Sequence, residues 1–198
     1  MKIAIIDYGM GNLYSVEQAL KRLNVEVVVT NDFTQLDASD ALLLPGVGAF
    51  PDAMARLDEL NLTSYIQQTK KPLLGICLGM QLMFESSVEV KPTKGLGIFQ
   101  GTIEKFQAVP RIPHMGWNDL LFTDGSKLDD AFVYFVHSFY GVNVNEAQLV
   151  AYADYSGVKV PAVVAKDNFT GMQFHPEKSG KAGIELLTNW LQKVGATC

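Results

Sequence analysis

The sequence predicts a three-layer α/β fold, with a mostly parallel central sheet and a smaller antiparallel section. Three observations predict it. Short aliphatic runs alternate with amphipathic stretches through the first half of the chain, the pattern of a parallel sheet covered on both faces. Glycine-rich turns follow the runs at Tyr8-Gly-Met-Gly-Asn12, Pro45-Gly-Val-Gly48 and Gly75-Ile-Cys-Leu-Gly79, which puts candidate chemistry at the carboxyl ends of the strands. Beyond Gly101, six strand-like runs are separated by turns rather than helices. Some of these predict the antiparallel section, and the last few rejoin the main sheet.

Taken in order, residues 2–7 form an apolar run ending in Asp7. Asn12 then suits the N-cap of a helix whose apolar face is Leu13, Val16, Ala19, Leu20 and Leu23. Val25 to Val29 is β-branched and reads as a second strand, and Ala41 to Leu44 as a third. Helices over 51–60 and 63–70 lead to Leu73–Ile76, a short apolar run introduced by Pro72 that reads as a buried parallel strand. After Cys77 the period changes: Leu78, Leu82 and Phe84, set against Gln81 and Glu85, suit a helix. Residues 89–101 read as surface loop. The runs 102–106, 118–122, 132–139, 149–154, 162–166 and 171–174 are the six strands, and an amphipathic helix over 180–194 closes a single domain spanning 1–198.

Nearly half the residues are apolar and about a fifth are charged, so the chain is globular rather than disordered. A net charge of −5 without any basic run argues against a nucleic-acid partner. Two cysteines, Cys77 and Cys198, give neither a disulfide framework nor a C-x-x-C metal motif. The N-terminal stretch has no signal-peptide pattern and no run is long enough to span a membrane. These features predict a soluble, reduced, cytoplasmic protein.

Cys77 sits where a strand meets a helix, between Gly75 and Gly79. A free cysteine is usually a small buried hydrophobe. Here the flanking glycines and the change of period favour a nucleophile elbow with a thiol in place of the hydroxyl, and a helix N-terminus favours the thiolate. Such a thiol needs a base. His175 ends a strand in Phe174-His-Pro-Glu177, where residues two apart project to one side and Pro176 biases His175 towards the extended region. Glu177 would then orient the imidazole, as the third member of a triad. Without a thiol to serve, the same motif would read as a polar strand end. His137, in an aromatic strand, reads as a hydrogen-bonded core residue, and His114, beside Pro113 and Gly116, as structural or interfacial. Cys198 reads as inert.

Gly75-Ile-Cys-Leu-Gly-Met-Gln81 with His175-Pro-Glu177 resembles the class I (triad) glutamine amidotransferases, a family of flavodoxin-like fold. Asp7-Tyr-Gly-Met-Gly-Asn-Leu13, Leu44-Pro-Gly-Val-Gly-Ala-Phe50, Pro113-His-Met-Gly-Trp-Asn118 and Val136-His-Ser-Phe-Tyr140 resemble, within it, the glutaminase subunits of imidazole glycerol phosphate synthases. The resemblance implies hydrolysis of L-glutamine by Cys77, His175 and Glu177, with no metal and no cofactor. It also implies a heterodimer with a cyclase, the (β/α)8 barrel that uses the ammonia in histidine biosynthesis. By the same resemblance Leu78 N–H and a donor at Val47 form the oxyanion hole, and Gly46, Gly48, Gln81, Ser138 and Phe139 hold glutamine.

The active-site edge, with Asn12, Met115, Trp117, Asn118 and Lys178, is the expected docking surface, Trp117 being either an interface anchor or a core residue. Gly46 and Gly48 leave the peptides around Val47 free to rotate. That freedom would let a partner switch the oxyanion donor, or would merely admit the glutamine backbone. The rival functions are a different amidotransferase pathway, a cysteine-peptidase-like hydrolase and a non-catalytic binding role.

Overall fold

Alternation along the first strands decides the architecture. The computed structural model describes residues 1–107, 109–126, 128 and 131–195. Its elements in chain order are β1 (Lys2–Ile6), α1 (Leu13–Arg22), β2 (Glu26–Thr30), α2 (Phe33–Asp37), β3 (Ala41–Leu44), α3 (Phe50–Glu59), α4 (Leu62–Gln68), β4 (Leu73–Ile76), α5 (Leu78–Leu82), β5 (Phe84–Ser87), β6 (Thr93–Lys94) and β7 (Phe99–Lys105). There follow β8 (His114–Asp119), β9 (Leu121–Phe122), β10 (Phe132–His137), β11 (Phe139–Val142), β12 (Leu149–Tyr155), β13 (Val158–Lys166), β14 (Phe169–Met172) and α6 (Gly180–Gly195).

Ile3 and Ile5 of β1 face one apolar cluster with Val16, Ala19 and Leu20 of α1 and Leu187 and Trp190 of α6. Ala4 and Ile6 face the other, with Leu36, Phe50, Leu57 and Ile66 from α2 to α4. Successive side chains on a strand point to opposite faces, so one sheet lies between two helical layers.

The main sheet runs β2-β1-β3-β4-β14-β13-β12-β9. Pairing is parallel from β2 through β14 and antiparallel beyond it. The parallel part has the flavodoxin-like order, with β14 as its fifth strand. A four-stranded sheet (β11-β7-β5-β6) and a two-stranded ribbon (β10-β8) flank it.

Several expectations give way to tertiary contacts. The elbow helix stops at Leu82 and Phe84 enters a strand: the Met83 carbonyl accepts from Ile98 and Phe99 N–H, and Phe84 packs on Phe99 at 5.7 Å between ring centroids. Helix α2 went unread because it is only 5 residues long, although Asp32 caps it by accepting from Gln35 N–H. Residues 89–101 hold β6 and the start of β7 besides loop. His114 lies in a strand rather than a loop. The expected strand 132–139 breaks at Ser138, its two parts pairing in different sheets. Asn12 does cap α1, accepting from Ser15 N–H at 3.3 Å.

Candidate active site

Tyr8, the Pro45–Gly48 loop, Cys77 and His175 follow β1, β3, β4 and β14 respectively, so all four lie at the carboxyl edge of the parallel sheet. Cys77 occupies φ 53°, ψ −111°, a conformation disfavoured for a residue with a Cβ. Its N–H donates to Met172 O at 2.8 Å and its carbonyl accepts from Gln81 N–H at 3.1 Å, which ties the elbow to β14 behind and α5 ahead.

Space explains two of the glycines. A Cβ on Gly79 would strike the Leu44 carbonyl. A Cβ on Gly46 would come within 2.7 Å of Gly79 N and 2.8 Å of the Leu78 Cβ. Gly46 is therefore small because the elbow's backbone lies against it, and the loop is pinned there by Tyr8, whose buried hydroxyl donates to Pro45 O at 2.8 Å. Gly48 sits at φ +112°, where a side chain would be strained, and follows a Val47 that is 45% exposed.

The His-Pro-Glu motif reaches its geometry by a different route from the extended one expected. His175 itself is extended at φ −97°, ψ 95°, but Pro176–Lys178 is a single 3-10 turn. Proline favours the first position of such a turn, where its missing N–H is not needed. Lys178 N–H donates to His175 O at 3.0 Å and Ser179 Oγ donates to the same carbonyl at 2.6 Å. Strand β10 clamps the turn: His175 N–H donates to Tyr134 O and Tyr134 N–H to Ser179 Oγ.

The outcome is the expected pairing, His175 Nδ1 to Glu177 Oε1 at 2.8 Å, with both side chains buried. Burial alone would lower the imidazole pKa. Hydrogen bonding and negative charge from Cys77 and Glu177 outweigh it and raise the value to about 9. Glu177 Oε2 is buried without a hydrogen-bond partner among the described residues, which leaves the imidazolium to balance the carboxylate.

A cavity of about 350 Å³ opens over the sulfur. It collects Val47, Gly48, Cys77, Leu78, Gln81, Ser138, Phe139, His175 and Lys178 of the residues singled out from sequence. Gly46 and Glu177 do not line it: Gly46 packs against Gly79 and Leu78, and Glu177 meets the lining only through its hydrogen bond to His175. A larger cavity of about 800 Å³ lies beside Asp40, Pro72 and Asn168 at the opposite ends of the same strands; it is remote from the triad. Met115 and Trp117 are 51% and 56% exposed, so Trp117 is not a core residue. Trp117 stands beside Tyr134 and Gly180, next to the triad turn, and Lys178 is exposed there too. Asn118 differs, since its amide donates inward to Asp154 O at 2.8 Å. Cys198 lies outside the described residues.

Two residues of the site, Gln173 and Glu89, escaped the sequence reading. Gln173 is fully buried, takes a hydrogen bond from Gln81 Nε2 at 3.0 Å, and points its own Nε2 towards Cys77 Sγ at 3.9 Å. It stands two residues before His175 in an otherwise apolar run, which was a usable signal. Glu89 puts a carboxylate on the cavity wall while Oε2 accepts from Phe50 N–H. His137 is the buried, hydrogen-bonded residue expected, donating from Nδ1 to Phe139 O at 2.8 Å, and it also lines the cavity.

The profile of class I glutamine amidotransferases matches residues 4–194. The chain belongs to that family. It is 53% identical over 190 residues to the imidazole glycerol phosphate synthase subunit HisH of Exiguobacterium sibiricum, covering 95% of this chain and 93% of the relative. The protein of the same name from Bacillus cereus is 50% identical over 196 residues with the same coverage. The fold agrees with that of a glutamine amidotransferase crystal structure at TM-score 0.77, with 20% identity and 98% of each chain covered. It also agrees with that of a glutamine amidotransferase from Thermotoga maritima at TM-score 0.60 and 17% identity, over 98% of this chain and 84% of that one. Among the described residues no helix is long and apolar enough to cross a membrane, and no cluster of ligating side chains forms a metal site.

Proposed function

We propose that this chain is the glutaminase subunit of an imidazole glycerol phosphate synthase, with Cys77, His175 and Glu177 as its triad. The observation that carries the assignment is one buried imidazole placed between a carboxylate and an elbow thiol. The Cys77 thiolate attacks the amide carbon of L-glutamine. The resulting oxyanion takes hydrogen bonds from Leu78 N–H and from a donor at Val47. The imidazolium of His175 gives its proton to the departing ammonia, leaving a thioester. His175 then takes a proton from water as the water attacks, and collapse of that adduct frees glutamate and restores the thiolate. Glu177 holds the ring through both steps. Gln81 and the Ser138–Phe139 backbone hold the substrate, and Glu89 supplies a carboxylate for its α-ammonium group. No cofactor enters any step.

Ammonia released into water is protonated and lost as a nucleophile, so the product needs a docked acceptor. That acceptor is a cyclase (β/α)8 barrel, which forms imidazole glycerol phosphate and an aminoimidazole carboxamide ribonucleotide. The exposed side chains of Met115, Trp117 and Lys178, with the half-buried Asn12, are the surface for the barrel, and Asn118 supports it from within. A cytoplasmic setting suits a thiol that must stay reduced.

The test is to mix the chain with purified cyclase, glutamine and the ribulose nucleotide, and to follow glutamate. Release that depends on the cyclase, and vanishes with Cys77→Ala, supports the assignment. Release that survives the substitution overturns it.

A further inference from the structure

Two histidines outside the triad are as buried as His175. His114 and His137 face each other across the β8–β10 ribbon and meet ring to ring, His114 Nδ1 to His137 Nε2 at 3.1 Å. His114 is held between the Tyr155 and Phe135 rings, with centroids at 4.0 and 4.5 Å. An apolar pair would fill this space without needing any partners. The polar pair has a definite direction instead.

The Phe139 carbonyl can only accept, so His137 carries its proton on Nδ1. In a neutral ring Nε2 must then accept, so His114 donates from Nδ1. His114 Nε2 is left as an acceptor and takes the Asn118 amide at 3.3 Å. Burial, the largest influence, keeps both rings neutral by lowering their pKa values, to about 4 for His114 and about 3 for His137. Phe139 O also accepts from Gln81 Nε2 at 2.8 Å, so both its lone pairs are used and its position is fixed from two sides. Ser138, the residue at which the ribbon strand breaks, is carried by the same corner and lines the cavity over Cys77.

We propose that His137, backed by His114 and Asn118, is a positioning residue for glutamine: its one-way hydrogen-bond relay sets the Ser138–Phe139 corner and Gln81 from the ribbon that bears Met115 and Trp117. This rests on the glutaminase reading. A corner that holds the unreacting end of the substrate acts alike on ground and transition states, so its loss appears in KM rather than kcat. His137→Phe keeps a ring but removes the donor, and should raise KM for glutamine about tenfold, the worth of one buried hydrogen bond, with kcat little changed. His137→Asn places an amide N–H where Nδ1 was, and should return KM to within about threefold of wild type, as a restored bond requires.

Both variants are assayed in complex with the cyclase. In the free, unmutated chain, nitrogen NMR of the imidazoles should show the Nδ1–H tautomer for both rings at neutral pH, a result that needs no variant to fold. A wild-type KM in folded His137→Phe, a raised KM that His137→Asn fails to restore, or an Nε2–H tautomer at His137 overturns the relay. If the wild-type complex releases no glutamate, the functional assignment fails instead, and the tautomers alone decide the relay.

Discussion

His175 and the His114–His137 pair are buried alike, at 3%, 3% and 6% exposure, yet they hold opposite charge states. At the end of β14 the imidazole meets the Glu177 carboxylate and the Cys77 sulfur, and its pKa rises to about 9. In the β8–β10 ribbon the imidazoles meet each other, a backbone carbonyl and aromatic rings, and theirs fall to about 4 and about 3. Depth is the same, so depth does not decide. The neighbours do: a buried imidazole stays charged only where an anion repays its lost hydration. Two neighbouring parts of one cavity wall thereby carry imidazoles of opposite charge state.

The most severe way to break this contrast is to remove the anions. Cys77→Ala should reduce glutamate release to background while leaving affinity for the cyclase unaltered, and should lower the pKa of His175 in a proton-NMR titration. Activity comparable to wild type would contradict the nucleophile. Glu177→Gln keeps the shape and removes the charge. It should slow glutamine hydrolysis by about 10²–10⁴-fold, the usual worth of an acid–base group, and bring His175 down towards the ribbon pair. A rate within a fewfold of wild type would show that Glu177 does not orient the ring.

Stability against pH sharpens the same comparison. His175 binds its proton more tightly folded than unfolded. Its contribution is full below the ordinary value of 6.5 and is lost as pH climbs through about 9. His114 and His137 run the other way. As pH falls below 6.5 the unfolded chain takes up protons that the folded ribbon refuses, so stability drains away towards pH 4 and below. Urea unfolding should thus show a falling midpoint on the acid side. His114→Phe should flatten that fall, and an unchanged acid slope would contradict a neutral ribbon.

The smallest expected effect lies at the rim. Trp117→Ala should weaken the complex by about tenfold in calorimetry, the lower range for an aromatic anchor, without shifting the free chain's unfolding. An unaltered affinity would return Trp117 to the role of a bystander.

The two regions were not equally legible in the sequence. The parallel sheet was readable because each strand is a run of one chemical kind followed by a change of period, and the elbow because Gly75 and Gly79 bracket one cysteine. The ribbon was not. Ser138 ends a strand inside an unbroken aromatic run, and nothing local marks the break; it follows from β11 pairing with β7. Phe84 reads as helical until Phe99, far along the chain, supplies a strand partner. His137 and His114 each read as bland alone, since their chemistry consists in being opposite each other. The His-Pro-Glu motif gave the right partners and the extended His175, but Glu177 lies in a 3-10 turn that the local sequence did not announce.

One titration tests the contrast most directly. The ring-proton shifts of all three histidines in the free chain can be followed from pH 3 to pH 10, each assigned by substitution. The triad predicts that His175 loses its proton near 9 and that His114 and His137 stay neutral down to about 4 and about 3. If His175 instead titrates below 6.5 while a ribbon histidine takes the high value, the charged imidazole is not the one beside Cys77, and the assignment of the triad fails.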